Sequence, residues 1–121
     1  MASWSDVRRI ARRLEGAEET TTFGEPCFKV SKKLFAWMST HERGALAVRI
    51  EVEDQPLMVA ARPELFFITP HYQGYGAVLI RLKTAPARDL TDPIEQSYRL
   101  VLLASKKRKR APSARRKSSK S

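Results

Sequence analysis

The hydrophobic residues of this chain follow two different periods, and each period predicts a different element. Over residues 3–14 the apolar side chains recur every three or four positions and arginines occupy the opposite face, which predicts a helix that ends at Gly16. Over residues 45–51 large apolar residues alternate with small or charged ones, which predicts a strand with one buried face. Shorter apolar segments predict further strands at residues 27–30, 34–38, 65–68 and 77–82.

Two more helices are predicted in the second half of the chain. Asp54 is the expected cap of the first, which has Pro56 in its first turn and stops at Pro63. The last helix is expected to begin near Asp89 or Asp92, because an apolar stripe with helical spacing follows. That stripe consists of Leu90, Ile94, Tyr98, Val101 and Leu102.

These elements occur in the order α-β-β-β-α-β-β-α. Residues 20–26 are predicted to be a loop, since Gly24 and Pro26 interrupt regular structure. The link at residues 31–33 has the length of a hairpin turn, which favours antiparallel pairing. We therefore expect an α+β fold: a two-layer α/β domain with an antiparallel five-stranded sheet, one face of which the helices cover.

Charge divides the chain into two parts. The formal net charge is +10 at pH 7, but residues 1–104 carry 14 Lys and Arg against 13 Asp and Glu. We predict a domain over residues 1–104 and a disordered Lys/Arg-rich tail over residues 105–121. The last helix can extend into the start of this tail, where cations suit the helix dipole. The basic residues of the tail are Lys106, Lys107, Arg108, Lys109, Arg110, Arg115, Arg116, Lys117 and Lys120.

A second group of cations lies in and beside the predicted strands, namely Lys29, Lys32, Lys33, Arg49 and Arg81. A shallow surface for a phosphate backbone is the functional interpretation of this group, and ordinary solubility charge is the alternative. The tail has no bulky apolar or aromatic side chain to insert into lipid or between bases. We therefore favour contact with a nucleic-acid backbone over adhesion to a membrane.

The motifs of common enzyme chemistry are missing from the sequence. It has no P-loop, nucleophile elbow, Rossmann glycine pattern or HExxH motif. The lone Cys27 allows no disulfide within the chain and fits a reducing compartment. His71 and Tyr72 form a conspicuous pair, but the other histidine, His41, lies in a different loop. We favour a role for His71 in holding its loop by hydrogen bonding over binding or catalysis, and expect no enzyme activity, no cofactor and no metal.

The apolar content of the chain also bears on its location. Polar and charged residues (Ser5, Asp6, Arg8 and Arg9) occur within the first nine positions, and no apolar run approaches the roughly 20 residues of a membrane span. We expect no signal peptide and no membrane segment. The expected location is the cytoplasm, with association with the nucleoid as an option.

Several short motifs occur in an order that is typical of one protein family. They are Phe23-Gly24-Glu25-Pro26, Phe28-Lys29-Val30, Lys33-Leu34-Phe35-Ala36, the run from Pro63 to Tyr72, Gly74-Tyr75 and Val78-Leu79-Ile80-Arg81-Leu82. Together they make residues 5–104 resemble the MmcQ/YjbR family. The resemblance implies a two-layer α/β fold with an antiparallel sheet, similar to that of type III secretion chaperones, and a DNA-binding role. It supplies no catalytic residues. The chain departs from the family at Lys32, where many relatives have glycine before the lysine, and at Gly76, where proline is common.

These observations favour a nucleic-acid-binding protein whose basic tail contacts the backbone without sequence preference. DNA is favoured over RNA as the partner. The alternative is a protein-interaction adaptor, which the chaperone-like fold and the wide apolar surface of the last helix suggest. Leu100 and Leu103 widen that surface beyond the stripe, so a homodimer through the last helix is a further hypothesis.

Overall fold

An antiparallel sheet forms the centre of the fold. The computed structural model describes residues 2–114, with side chains over residues 2–106, and six strands occur in that part of the chain. Their order across the sheet is β1-β2-β3-β4-β6-β5, and every pairing is antiparallel. The strands are β1 (Glu18–Thr22), β2 (Glu25–Val30), β3 (Lys33–Met38), β4 (Ala45–Arg49), β5 (Phe66–Phe67) and β6 (Ala77–Arg81).

The described helices all pack on one face of this sheet. They are α1 (Trp4–Ala11), α2 (Gln55–Ala61) and α3 (Thr91–Ala114). Their apolar side chains, such as Val7, Met58 and Ile94, join a core with Phe28 and Leu46 of the strands. The expected α+β architecture with helices on one side is therefore confirmed. Of the described helices, none is long and apolar enough to cross a membrane.

The predicted count of five strands is wrong, because residues 18–22 form an edge strand. Thr20, Thr21 and Thr22 favour extended backbone but show no alternation of apolar and polar residues, so periodicity does not reveal them. Phe23 and Gly24, with φ of 52° and 80°, make a two-residue hairpin turn that joins β1 to β2. The segment expected to be a loop is thus a tight hairpin, and the observed order is α-β-β-β-β-α-β-β-α.

The predicted disorder of the tail also needs correction. α3 continues to Ala114, and Ser105 is buried, so the helix crosses the predicted boundary without a break. Lysine and arginine are good helix formers, and cations near a helix C-terminus interact favourably with its dipole. Residues 105–114 are therefore helical. Residues 115–121, which include four of the predicted binding cations, lie outside the described residues.

A buried hydroxyl joins α3 to the middle of the sheet. Ser97 Oγ accepts a hydrogen bond from the Arg49 backbone N–H (2.7 Å) and donates one to the Phe35 carbonyl (2.5 Å). This hydroxyl satisfies backbone groups of two neighbouring strands that would otherwise lack partners beneath the helix. It also sets the position of Arg49, one of the predicted binding cations.

The opposite face of the sheet carries a second, smaller apolar cluster. Cys27, Trp37, Ala47 and Leu79 lie there, with Tyr72 from the loop between β5 and β6 packed on them. Cys27 is fully buried in this cluster, as expected for a small hydrophobic residue, and burial raises the pKa of its thiol. This face is covered by the loop between β5 and β6 and not by α-helices, so part of the face stays open to solvent.

Candidate nucleic-acid interface

Cations from the sheet and from α3 meet at one corner of the molecule. The β2–β3 turn consists of Ser31 and Lys32, with φ of 51° and 67°, a two-residue turn that projects beyond the sheet. A shallow cleft of about 270 Å³ separates this turn from α3, and both Ser31 and Lys106 line it. The turn that carries Lys32 therefore lies beside the point where the basic run of α3 begins.

A second cleft next to the first extends the basic surface. It has a volume of about 250 Å³, and its lining includes Lys33, Arg49 and Ser105. Lys33, Arg49 and Lys106 thus line clefts beside one stretch of α3, and Lys32 lies in the adjoining turn; we call these four predicted cations the basic corner. The sequence did not predict this arrangement, because the β2–β3 turn and residue 106 come together only when α3 crosses the sheet.

The charges of the basic corner remain available to a ligand. Lys32, Lys33 and Lys106 are exposed, and within the described residues none of the three takes part in an ion pair. Several arginines elsewhere on the domain are paired, for example Arg8 with Glu19 and Arg81 with Glu42. Other exposed cations, such as Lys83 and Arg88, also have no ion pair within the described residues. The corner is therefore distinguished by the proximity of its cations to one another, and one carboxylate, Glu15, lines its first cleft.

Lys29 and Arg49 have different surroundings from these lysines. Lys29 is half-buried and pairs in register with Glu18 of the edge strand, which places a carboxylate opposite it. The Arg49 guanidinium carbon lies 5.0 Å from the centre of the Trp37 ring and 5.3 Å from that of Tyr75. Its Nη1 also donates a hydrogen bond to the Tyr75 hydroxyl (3.2 Å). Arg49 therefore connects the basic corner to aromatic residues on the open face of the sheet.

Those aromatic residues line a pocket of about 260 Å³ on the open face, which we call the aromatic pocket. Its rings come from the β1–β2 turn, from β3 and from two loops. They are Phe23, Trp37, His41, His71, Tyr72 and Tyr75. The imidazoles of His41 and His71 stack, with ring centroids 3.5 Å apart and planes inclined by 26°. The two histidines that the sequence places in separate loops are therefore in contact.

Hydrogen bonds hold the two loops in place. The hydroxyls of Ser39 and Tyr72 share a buried hydrogen bond of 2.8 Å, and Ser39 Oγ also accepts from the backbone N–H groups of His41 and Glu42. This network connects the loop after β3 to the loop before β6. His71 was expected to hold its loop through hydrogen bonds, but it does so by stacking on His41. The hydrogen bond between the two loops is made by the neighbouring Tyr72.

The side chain of Gln55, at the start of α2, holds the loop before β6 in place. Its side chain is buried, and Nε2 lies within hydrogen-bond distance of the carbonyls of Tyr72 (2.8 Å), Tyr75 (2.9 Å) and Ala77 (2.8 Å). Its Oε1 accepts a hydrogen bond from the Gly74 N–H (3.1 Å). A single amide therefore fixes the backbone that carries Tyr72 and Tyr75. Nothing in the sequence marks this residue, because a glutamine in the first turn of a helix is usually exposed.

The arrangement offers little for metal chemistry. Across the described residues, no group of three or more His, Cys, Asp and Glu side chains is placed to hold an ion. A zinc site needs three or four ligands, and the stacked imidazoles supply two. The described lining of the aromatic pocket also contains no carboxylate to act with the histidines.

Comparison with known proteins agrees with the observed fold and with the motifs from Phe23 to Leu82. Residues 12–100 match the family model named YjbR. The chain belongs to the YjbR family. It is 32% identical over 115 residues to the uncharacterized proteins Mb2600 of Mycobacterium bovis and Rv2570 of Mycobacterium tuberculosis, covering 81% of this chain and 87% of each relative. The family predicted from the sequence is thus confirmed, and the names of these relatives give no function.

A solved structure shows the same fold. The crystal structure of protein DR2400 of Deinococcus radiodurans, described as a DUF419 domain, superimposes with a TM-score of 0.68 at 24% sequence identity. The match covers 84% of this chain and 79% of DR2400. It supports the sheet and helix arrangement of this YjbR-family chain and adds nothing about a ligand.

Proposed function

We propose that this YjbR-family protein binds nucleic acid, with DNA favoured over RNA, through the basic corner and the basic end of α3. The observation that carries the proposal is the position of Lys106 beside the β2–β3 turn, since it places the hairpin cations next to the start of a continuous basic run. Lys106, Lys107, Arg108, Lys109 and Arg110 follow one another within α3. The site has no built-in means of distinguishing one base sequence from another, so its contacts are with phosphates.

The charge density of this helical segment supports a polyanion as ligand. A helix rises about 1.5 Å per residue, so the five cations occupy about 7.5 Å of helix axis. Duplex DNA carries one negative charge per about 1.7 Å of its axis, so it offers a comparably high density of opposite charge. Each phosphate that is neutralised releases condensed counterions, and binding is therefore expected to weaken steeply with salt.

The test is a titration of the full chain with duplex DNA across a series of salt concentrations. If about six to nine cations from position 106 onward engage, the slope of log K against log salt is roughly −5 to −8. A variant with glutamine at each of positions 106–110 should flatten the slope by about 4, and the pair Lys32→Gln and Lys33→Gln by about 2. Lys29→Gln is expected to change the slope less, because Glu18 lies opposite.

Lys83→Gln is the matched control. Lys83 is exposed and lies just after the C-terminal end of β6, where Arg81 pairs with Ala45 of β4. Arg49 of the basic corner pairs with Ala77 at the opposite end of these two strands. Its substitution removes the same charge far from the basic corner and should leave the slope unchanged. Binding by the five-glutamine variant that is as tight and as salt-dependent as that of the wild type would overturn the proposal.

A protein-interaction adaptor is the second candidate, and one observation favours it. Leu103 of α3 is 57% exposed. The neighbouring Leu100 and Val101 line the second cleft of the basic corner, the one that Lys33 and Arg49 also line. An apolar contact on this helix would change little with salt, whereas phosphate binding would weaken steeply. The salt series therefore separates the two candidates.

A further inference from the structure

We propose that the aromatic pocket binds an unpaired nucleobase, so that the protein prefers single-stranded nucleic acid to duplex. This inference rests on the proposed function and adds to it the kind of strand that is bound. The pocket offers the faces and edges of several rings on an open part of the sheet, and stacking on such rings is how proteins hold exposed bases.

Phe23 is the first argument for a ligand in this pocket. Its side chain is 90% exposed, although it is a large apolar residue at the rim. Its φ of 52° lies in the left-handed region, where a residue with a Cβ is strained and where type I′ turns favour asparagine or glycine. An exposed phenylalanine in this position contributes nothing to the core and lowers the stability of its turn. Contact with a ligand accounts for its presence.

The chemistry of the walls is the second argument. Trp37 is mostly buried and supplies the floor, while Tyr75 and the stacked pair of His41 and His71 supply the sides. A volume of about 260 Å³ is slightly below the roughly 300–1,000 Å³ of pockets for drug-sized ligands. The space therefore suits a single flat ring system. Histidine N–H groups can donate hydrogen bonds to the edge of such a ring.

The third argument is the position of Arg49. Its guanidinium lies over Trp37 and Tyr75, both of which line the aromatic pocket, and the same residue lines the cleft of the basic corner. A ring bound in the pocket would thus lie near the Arg49 guanidinium, with the lysines of the basic corner farther from the pocket. A nucleotide matches this order, since its base is flat and its phosphates are anionic. In a duplex the bases are stacked on one another and cannot enter the pocket, so the expected ligand is a single strand.

Phe23→Asn is the test variant. Asparagine at the first position of a type I′ turn relieves the strain, so the variant should fold and should melt at a temperature equal to or above that of the wild type. We expect its affinity for an oligothymidine single strand to fall about tenfold, because one stacking contact is lost. Its affinity for a duplex of mixed sequence should stay within about twofold. Leu57→Ala, which removes an exposed apolar side chain on α2, is the control and should change neither affinity.

A second measurement observes the pocket directly. The chain has two tryptophans, and Trp4 stacks on Phe28 with ring centroids 5.5 Å apart, on the helix-covered face of the sheet. In a full-length Trp4→Phe protein, emission comes from Trp37 alone. Oligothymidine should quench this emission, and the duplex should quench it less. Adding Phe23→Asn should shift the quenching to about tenfold higher concentrations.

The outcomes separate this inference from the proposed function. If Phe23→Asn leaves single-strand affinity and Trp37 quenching unchanged while glutamine at positions 106–110 abolishes binding, the base pocket is overturned and the proposed function stands. Equal losses for single strand and duplex on Phe23→Asn would also overturn it, since Phe23 would then be a general contact. If neither strand binds the wild type at low salt, the proposed function itself fails.

Discussion

The imidazole of His41 lies on that of His71, with ring centroids 3.5 Å apart, and this stack joins the loop after β3 to the loop before β6. Thirty positions separate the two residues in the chain, and they meet because the loop between β5 and β6 crosses the open face of the sheet, where Tyr72 packs on Trp37 and bonds to Ser39. The stack forms one side of the aromatic pocket. Its contribution to stability can be measured separately from any effect on binding.

The stack should appear as coupling in a double-mutant cycle. We expect His41→Ala and His71→Ala to be non-additive by about 0.5 kcal/mol in the free energy of unfolding, at the low end for aromatic pairs because both rings are exposed. Urea denaturation of the wild type, both single variants and the double variant gives this value. Strictly additive effects would show that the contact contributes nothing to stability. Duplex affinity should stay within about twofold in all variants, since the cations of the basic corner remain.

Replacement of Gln55 should destabilise the loop that carries Tyr72 and Tyr75. Gln55→Leu removes the side-chain partner of three carbonyls and of the Gly74 N–H. The carbonyls of Tyr72 and Tyr75 keep backbone donors, so we expect a loss of about 2 kcal/mol in the free energy of unfolding. Gln96→Leu makes the same chemical change at an exposed position of α3 and should cost less than about 0.5 kcal/mol. Similar losses for the two variants in urea denaturation would contradict the role given to Gln55.

Glu19 should make stability depend on pH in the acid range. Hydrogen bonds from Arg8 (2.7 Å) and Trp4 (3.0 Å) lower the pKa of Glu19 from 4.5 to about 2. A pKa that is lowered in the folded state stabilises the protein above pH 4.5, and this contribution is lost as the pH falls towards 2. Glu19→Gln should therefore cost about 1 kcal/mol at pH 7, a modest value because Arg8 is 40% exposed and solvent screens the pair.

The measurement for Glu19 is the free energy of unfolding of wild type and Glu19→Gln at several pH values. The gap between them should be constant above pH 4.5 and should close towards pH 2. A difference in the free energy of unfolding that is the same at every pH would show that Glu19→Gln destabilises the protein through lost packing and not through the lost charge. Glu53→Gln, an exposed carboxylate at the start of the segment before α2, is the control and should show no such gap.

The last helix is the predicted contact of a homodimer. Leu103 is 57% exposed on α3, and an apolar residue there would be covered by the same helix of a second copy. Light scattering of the wild type should show a mass that rises with concentration towards twice 13.8 kDa. Leu103→Glu should hold the mass at that of the monomer, while Leu57→Ala on α2 should leave the wild-type behaviour intact. A wild type that is monomeric at every accessible concentration rules the dimer out.

Local patterns predicted the elements whose own residues carry the signal. The helix near Val7 and the strands around Val48 and Leu79 have apolar residues at the spacing of one buried face, and the structure has them within a few residues of the predicted bounds. Threonine-rich β1 escaped detection, since an edge strand needs few buried side chains. The sequence allowed the last helix to run into the start of the basic segment, but its continuation to Ala114 was not predicted, because Pro112 and the polar residues beyond it favour disorder.

The sequence by itself determined the family, the α+β class and the two groups of cations, because each of these depends on residue types and spacings that can be read along the chain. The tertiary structure decided that the β2–β3 turn lies beside Lys106 and that Phe23, Trp37, His41 and His71 surround one pocket. It also decided that Gln55 supports the loop above it. These relations join residues far apart in the chain, and only the order of strands in the sheet and the path of α3 across it bring them into contact.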